Sequence, residues 1–288
     1  MNIRQRLRRG AARVAGARAT PALALGRRAM SGLFGGSPRV VVCAMPRSAS
    51  SFVTTLLAHA LRCPQRPLVT DYADTEQNLS LAPILDAWPQ GFVAQHHFLP
   101  TAGNLRLVRQ CGLRPVILHR DVRDVLVSLR EVLVKRIHEL DGEAWRHRTS
   151  ALFIAPCGPE FAAWDEERQM DLLVDYAAPW LVRFYATWQR ACAGGLDAAW
   201  CGYGEVTADP AAALTRLGGA LALGFDASDV RRAVQAAASP RNFNVGRAGR
   251  GRGALTPAQE RRLVRLGAYF PDAGCEAIGL GPAAGGAS

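Results

Sequence analysis

Short apolar runs alternate along this chain with stretches whose apolar residues recur at helical spacing. Four runs read as strands: 40–44 (Val-Val-Val-Cys-Ala), 91–95, 115–118 and 198–202. The first is β-branched, apolar on both faces and short, the pattern of a central strand. Pro46 ends it, because proline has no N–H to give a ladder. Phe52, Val53, Leu56, Leu57, Ala60 and Leu61 then repeat at helical spacing, with Ser50 and Ser51 as N-cap candidates. A second helix is predicted by Val122, Val125, Leu126, Leu129 and Leu133. A third spans about 165–193, and a fourth spans 211–221 behind Asp209-Pro210. Strands alternating with helices predict an α/β fold, a parallel sheet with helices on both faces. Ligands of such sheets sit beyond the carboxyl ends of the strands. The loops after Ala44 and Leu118 are at such ends.

Composition sharpens the picture at the termini. The chain of 288 residues carries a formal net charge of +11. Nine of its positive charges (Arg4, Arg6, Arg8, Arg9, Arg13, Arg18, Arg27, Arg28, Arg39) fall in the first 39 residues, and no acid occurs before Asp71; without those nine the charge falls to +2. The basicity therefore belongs to a leader, residues 1–38, rather than to a nucleic-acid-binding face, and no nucleic-acid partner is expected. Ile3, Leu7, Ala11 and Val14 give the leader one weakly apolar helix face among arginines. It reads as a flexible tail, an organelle-type transit segment or a strip lying on an anionic membrane surface. No run reaches the ~20 apolar residues of a membrane span. Residues 39–272 are read as the folded domain, and 273–288, ending rich in Gly and Ala, as a flexible tail. Seven scattered cysteines without a C-x-x-C pair argue for core thiols in a reducing compartment, hence a cytoplasmic location, peripheral on the inner membrane surface if the leader binds lipid.

The candidate chemistry sits in the first two strand-end loops. Met45-Pro46-Arg47-Ser48-Ala49-Ser50-Ser51-Phe52 joins a strand to a helix. Such a junction aims free N–H groups and the positive end of a helix at one spot, which suits an anion. Arg47 adds a fixed charge with the fork geometry of phosphate and sulfate binding. In the second loop, His119-Arg120-Asp121 leads into a helix on which Asp121, Asp124 and Ser128 share the face opposite the Val122/Val125 stripe. Arg120 at the strand end can reach an anion, and Ser128 offers it a hydroxyl.

These two segments resemble the sulfotransferases that use 3′-phosphoadenosine 5′-phosphosulfate (PAPS), in their bacterial-type form. In that family Pro-Lys/Arg-Ser-Gly-Thr-Thr-Trp follows the first strand; Pro46 to Phe52 match by identity or close type. The family's 3′-phosphate motif sets an Arg at a strand end and a Ser eight residues on, with Asp-Val between; Arg120, Asp124-Val125 and Ser128 fit. Trp200 to Val206, then Asp209-Pro210, look like its Tyr-Glu-Asp … Asp-Pro region. Its C-terminal loop, Arg-Lys-Gly-x-x-Gly-x-Trp-x-x-x-Phe-Thr, is matched at Gly246, Gly249, Leu255 and Thr256. Asn244, Val245 and Gly251 stand at its Arg, Lys and Trp positions. The resemblance covers about residues 39–256 and implies a P-loop-like three-layer fold and PAPS as co-substrate, without a metal. It implies that Arg47, Ser48, Ala49, Ser50 and Ser51 hold the phosphosulfate and that Arg120 and Ser128 hold the 3′-phosphate. Phe52 and Tyr203 would meet the adenine, and Gly249 with Arg247 or Arg250 would replace the missing C-terminal arginine.

Sulfuryl transfer to a hydroxyl needs a base. The family's His-Leu-Pro context falls on Gln95-His96-His97-Phe98-Leu99-Pro100, and His97 is the base it implies, with His96 the alternative. Arg47 would stabilise charge on the leaving phosphate. The acceptor group is a hydroxyl or an amine, on a carbohydrate, a glycolipid or a small molecule. The aromatics Trp145, Phe153, Phe161, Trp164 and Trp180 either line its pocket or pack their own core, and Asp74 and Glu76 could hold its hydroxyls. Two other readings compete. One is a kinase or nucleotide phosphotransferase, which would need a glycine-rich Walker loop and lysine that 45–51 lacks. The other is an inactive membrane adaptor working through the leader.

Overall fold

Val40 to Ala44 have no accessible surface, so the chain's most apolar run is also its central strand. The computed structural model describes residues 36–70, 76–140, 144, 152–237 and 248–281. Expectations for the leader up to residue 35, for Asp74, Trp145, Gly246 and Arg247, and for the last seven residues lie outside them. In chain order the elements that build the site are β1 (Arg39–Ala44), α1 (Ser50–Leu61), α2 (Leu81–Ala87), β2 (Phe92–His96), α3 (Ala102–Gln110), β3 (Arg114–His119) and α4 (Val122–Glu139). They are followed by α5 (Glu166–Leu172), α6 (Ala178–Ala193), β4 (Ala199–Gly202), α7 (Tyr203–Ala208), α8 (Pro210–Ala220), α9 (Ala227–Ala237) and α10 (Pro257–Ala268).

The strands form one sheet of order β2-β1-β3-β4, parallel at every pairing. Their carboxyl ends therefore share one edge. The order reverses around β1: the chain leaves it for β2 on one side and returns to β3 on the other. That switch point opens a crevice between the loops that follow β1 and β3. Alternate residues of each strand feed two cores. Val41, Cys43, Phe92, Ala94 and Ile117 pack with the apolar stripes of α4 and α6, while Val40, Val42, Ala44, Val93, Val116 and Leu118 pack with α1, α8 and α9. The result is the three-layer arrangement expected of the alternating pattern.

Three expectations change in detail, and one open alternative is decided. The helix after β1 is not capped by Ser50 or Ser51: its N-cap is Ala49, in the left-handed region at φ 65°, and no side chain caps it. The long helix at 165–193 is interrupted at Leu173–Ala177 by a wider, π-type turn. Pro179, in the first turn of α6, has no N–H to continue the upstream ladder, and widening the turn accommodates it. The aromatics of this region pack mainly as core: Phe161 is buried, and Phe153, Trp164 and Trp180 lie against the same cluster. The folded domain does not stop at 272. Ala273, Cys275, Ile278 and Leu280 are buried in the α4/α6 core, and the Arg123 guanidinium on α4 donates to the Gly279 carbonyl. Small apolar residues among glycines disguised a packed segment as a tail.

Candidate active site

The loop after β1 turns tightly. Met45 N–H donates to the Leu118 carbonyl (3.0 Å), continuing the β1–β3 pairing for one residue past the strand. Ser48, buried, then folds back to donate its hydroxyl to the Met45 carbonyl (2.6 Å). Arg47 and Ala49 both have φ 65°. Non-glycine residues seldom adopt that conformation, and strain of this kind concentrates at ligand sites. Left-handed residues alternating with right-handed ones gather N–H groups into an anion-binding concavity. The concavity ends at the uncapped start of α1, where the first-turn N–H groups and the helix dipole add to it.

Two further loops brace this one. Arg47 Nε donates to Ser128 Oγ on α4 (3.1 Å), and the Arg47 carbonyl accepts from Arg120 Nη1 (3.0 Å). The Arg120 guanidinium lies over the Tyr203 ring, 3.7 Å from its centroid, and 3.5 Å from the Asp124 carboxylate. Asp124 and Ser128 are both buried, so the polar face of α4 lies against protein instead of water. Burial, then the charges of Arg136 and Arg120, push the Arg47 guanidinium below its ordinary pKa. Partly desolvated cations crowded in this way favour a bound anion, since it would screen their repulsion and replace lost hydration. The loop and these arginines thus fit a phosphosulfate group by charge and donor type.

The C-terminal glycine-rich segment closes the same corner. Asp124 accepts from Gly249 N–H (2.8 Å) and Gly251 N–H (2.7 Å), one on each carboxylate oxygen. Gly249, at φ +80°, is in a conformation that suits glycine. Gly251 sits against α4: a Cβ there would lie 2.4 Å from Arg123 Cβ. Hence the tryptophan position of the resembled loop holds glycine here. Arg250, expected on a 3′-phosphate, forms a two-pronged ion pair with Glu131 instead. Phe52, expected against adenine, is buried in the core beneath α1. Its helical position points it at the sheet, as the apolar spacing of α1 requires. Tyr203 is mostly buried, with Arg120 covering its ring.

The two histidines divide into distinct roles. His96 Nε2 accepts the Leu68 N–H (2.9 Å), so its proton sits on Nδ1, which faces Gln77 Oε1 at 3.3 Å. Burial, with the neighbouring His97, lowers its pKa to about 3. With Nε2 occupied, His96 is a neutral structural group. His97 Nδ1 donates to the Ala44 carbonyl (2.7 Å), because a carbonyl can only accept. In the neutral ring this leaves the lone pair on Nε2. Burial lowers the His97 pKa; the Ala44 bond opposes that and Arg47 adds to it. His97 N–H in turn donates to Gln77 Oε1 (2.8 Å). Gln77, buried and central to both histidines, had no signal in spacing or motif. His97, Gln77 and Gln95 share a cleft of about 340 Å³, and Gln95 accepts a hydrogen bond from Ser51 in the first turn of α1 (3.2 Å). Glu76 accepts from Trp180 Nε1 (3.4 Å).

No family model matches the chain, and no curated protein matches it in sequence. Its fold is similar to that of a mouse sulfotransferase, SULT7A1, complexed with PAP. The alignment covers 88% of this chain and 91% of that one, at 14% identity and a TM-score of 0.54. A sulfotransferase from Alicyclobacillus acidocaldarius aligns over 86% of this chain and 98% of its own, at 11% identity and a TM-score of 0.42. The first likeness establishes the architecture: a parallel α/β sheet flanked by helices, in the P-loop-like form of the sulfotransferase fold.

Proposed function

We propose that this chain is a sulfotransferase that moves the sulfuryl group of PAPS to a hydroxyl of an acceptor. The observation that carries the proposal is the position of Arg47. It lies at the uncapped start of α1, its side chain on Ser128 and its carbonyl on Arg120, while the base-competent His97 hangs from the carbonyl of Ala44, three residues before it. An anion site and a base so close together support group transfer more than storage of a nucleotide.

In this reading the 45–51 loop and Arg47 hold the phosphosulfate, and Arg120 with Ser128 meets the 3′-phosphate. PAPS supplies an activated sulfuryl group. The acceptor oxygen forms a new bond to sulfur, its proton passes to Nε2 of His97, and the S–O bond to the 5′-phosphate breaks with its electron pair on that phosphate. Arg47 and the N–H groups at the start of α1 stabilise the charge that builds there. Losing one preorganised donor of this kind costs roughly 10²–10³ in turnover in other enzymes. His97, held in one tautomer by Ala44, needs no reorientation before it takes the proton.

Calorimetric titration with adenosine 3′,5′-bisphosphate (PAP) in the absence of magnesium, alongside 5′-AMP and ATP, tests the reading. Binding should require the 3′-phosphate and ignore magnesium. Ser128→Ala, which removes a partner of Arg47, should weaken it roughly tenfold, the scale of one hydrogen bond to a charged group. Equal affinity for 5′-AMP, or a preference for ATP with magnesium, would overturn it in favour of phosphoryl-transfer chemistry.

A further inference from the structure

The cleft beside His97 carries the chemistry of its own ligand. Three amide side chains from separate segments converge on it: Gln65 from the strand-like stretch paired with Val93, Gln77 from the segment before α2, and Gln95 from β2. Their existing bonds decide what each has left to offer. Gln77 Oε1 is occupied by the two histidines, and Gln95 Oε1 by Ser51, so both offer NH₂ donors. Gln65 uses one of its two N–H donors on Thr55 Oγ1 (3.4 Å) and keeps its carbonyl and the other N–H for a ligand. Arg66, which donates to Gln90 (3.4 Å), adds a guanidinium at the rim. Pro67 and Val93 complete the lining, which is about half apolar, and no benzenoid or indole ring is part of it.

A flat phenolic or steroidal acceptor is held mainly by apolar and aromatic walls. This cleft instead sets donors and an acceptor on different sides, the complement of a ligand whose hydroxyls both give and receive hydrogen bonds. At about 340 Å³ it has room for a ligand of one or two rings. One wall, Gln95, is tied to the anion-binding end of α1; another is His97 itself. A hydroxyl at the inner end would meet the base and the sulfuryl group together. We propose that this cleft is the acceptor site and that its ligand is a sugar. The proposal rests on the sulfotransferase reading above.

Saturation-transfer NMR on the full chain with PAP tests it, using lactose, maltose, cellobiose and trehalose, each against 2-naphthol. At least one disaccharide should receive saturation, with 2-naphthol receiving less. Gln65→Leu, at an exposed position where folding is not at stake, should reduce the sugar signal at least fivefold while PAP affinity by calorimetry stays the same. A chain that binds PAP but saturates only 2-naphthol, or none of the disaccharides, overturns the sugar assignment and leaves the sulfotransferase reading standing. An unchanged sugar signal in Gln65→Leu moves the sugar out of this cleft. Failure to bind PAP at all removes the reading itself, a result that calorimetry gives separately from the NMR.

Discussion

Two adjacent histidines of identical intrinsic chemistry become a structural group and a candidate base through their hydrogen bonds alone. His97→Ala should lower turnover about 10²–10⁴-fold, the usual contribution of a positioned base, with PAP affinity nearly unchanged. A variant that keeps full turnover would take His97 out of the mechanism. Because burial lowers its pKa, turnover should stay level on acidification through the ordinary histidine value of 6.5 and fall only below it. A pH–rate profile with its acid limb at or above 6.5 would contradict that. His96 leaves its mark on stability instead. Its folded-state pKa of about 3 lies below the unfolded value of 6.5, so between those values the unfolded chain binds a proton that the folded chain does not. The stability it contributes is present above pH 6.5 and is lost as pH falls toward 3, by up to about 1.4 kcal/mol per pH unit. Thermal melts at stepped pH should reveal that slope, and His96→Asn should flatten it.

At the scale of elements, the first two turns of α4 are the junction where three loops meet. Its Asp124 holds the Gly249–Gly251 backbone, its Ser128 holds Arg47, and its Asp121 caps the helix by accepting from Arg123 N–H (2.8 Å). Gly251→Ala would force a methyl into Arg123 and the backbone of α4, pushing the loop off both Asp124 bonds. Overpacking of this type costs about 1–3 kcal/mol, to be read as a lower midpoint in denaturant. The elements themselves were legible in the sequence because apolar period reports burial: β1, α1, α4 and α8 stand close to where their spacing put them. Arg47 and Arg120 likewise stand where the sequence put them, just past the ends of β1 and β3, with Ser128 on α4 against Arg47. What stayed hidden has physical reasons. Phe52 belongs to a motif and to an apolar stripe at once, and the stripe governs its direction. Arg250 pairs with Glu131, far from it in sequence, and no local pattern reports such a partner. Gln77 acts through one oxygen shared by two histidines, a feature of tertiary contact alone.

At the scale of the molecule, the core on the α4/α6 side of the sheet draws on both ends of the described chain, from Val41 to Leu280. Ending the chain at Asp272 would remove buried Ile278 and Leu280, each contributing about 1.5–3 kcal/mol by burial, together with the Gly279 carbonyl that Arg123 grips. The shortened chain should melt well below the full one in a thermal scan, and equal melting would mean that this segment contributes no stability. The strand order also governs how the native state is reached. β1, the first of the described strands, finds its neighbours only in strands that come much later, each separated from it by helices and loops. Closing such distant pairs loses chain entropy before any contact repays it, which makes parallel sheets of this kind slow to fold. The loop proposed to bind the anion, its arginine brace and the candidate base follow three of those strands. None of them can be in position until those three strands have paired, so the candidate site is assembled late in folding.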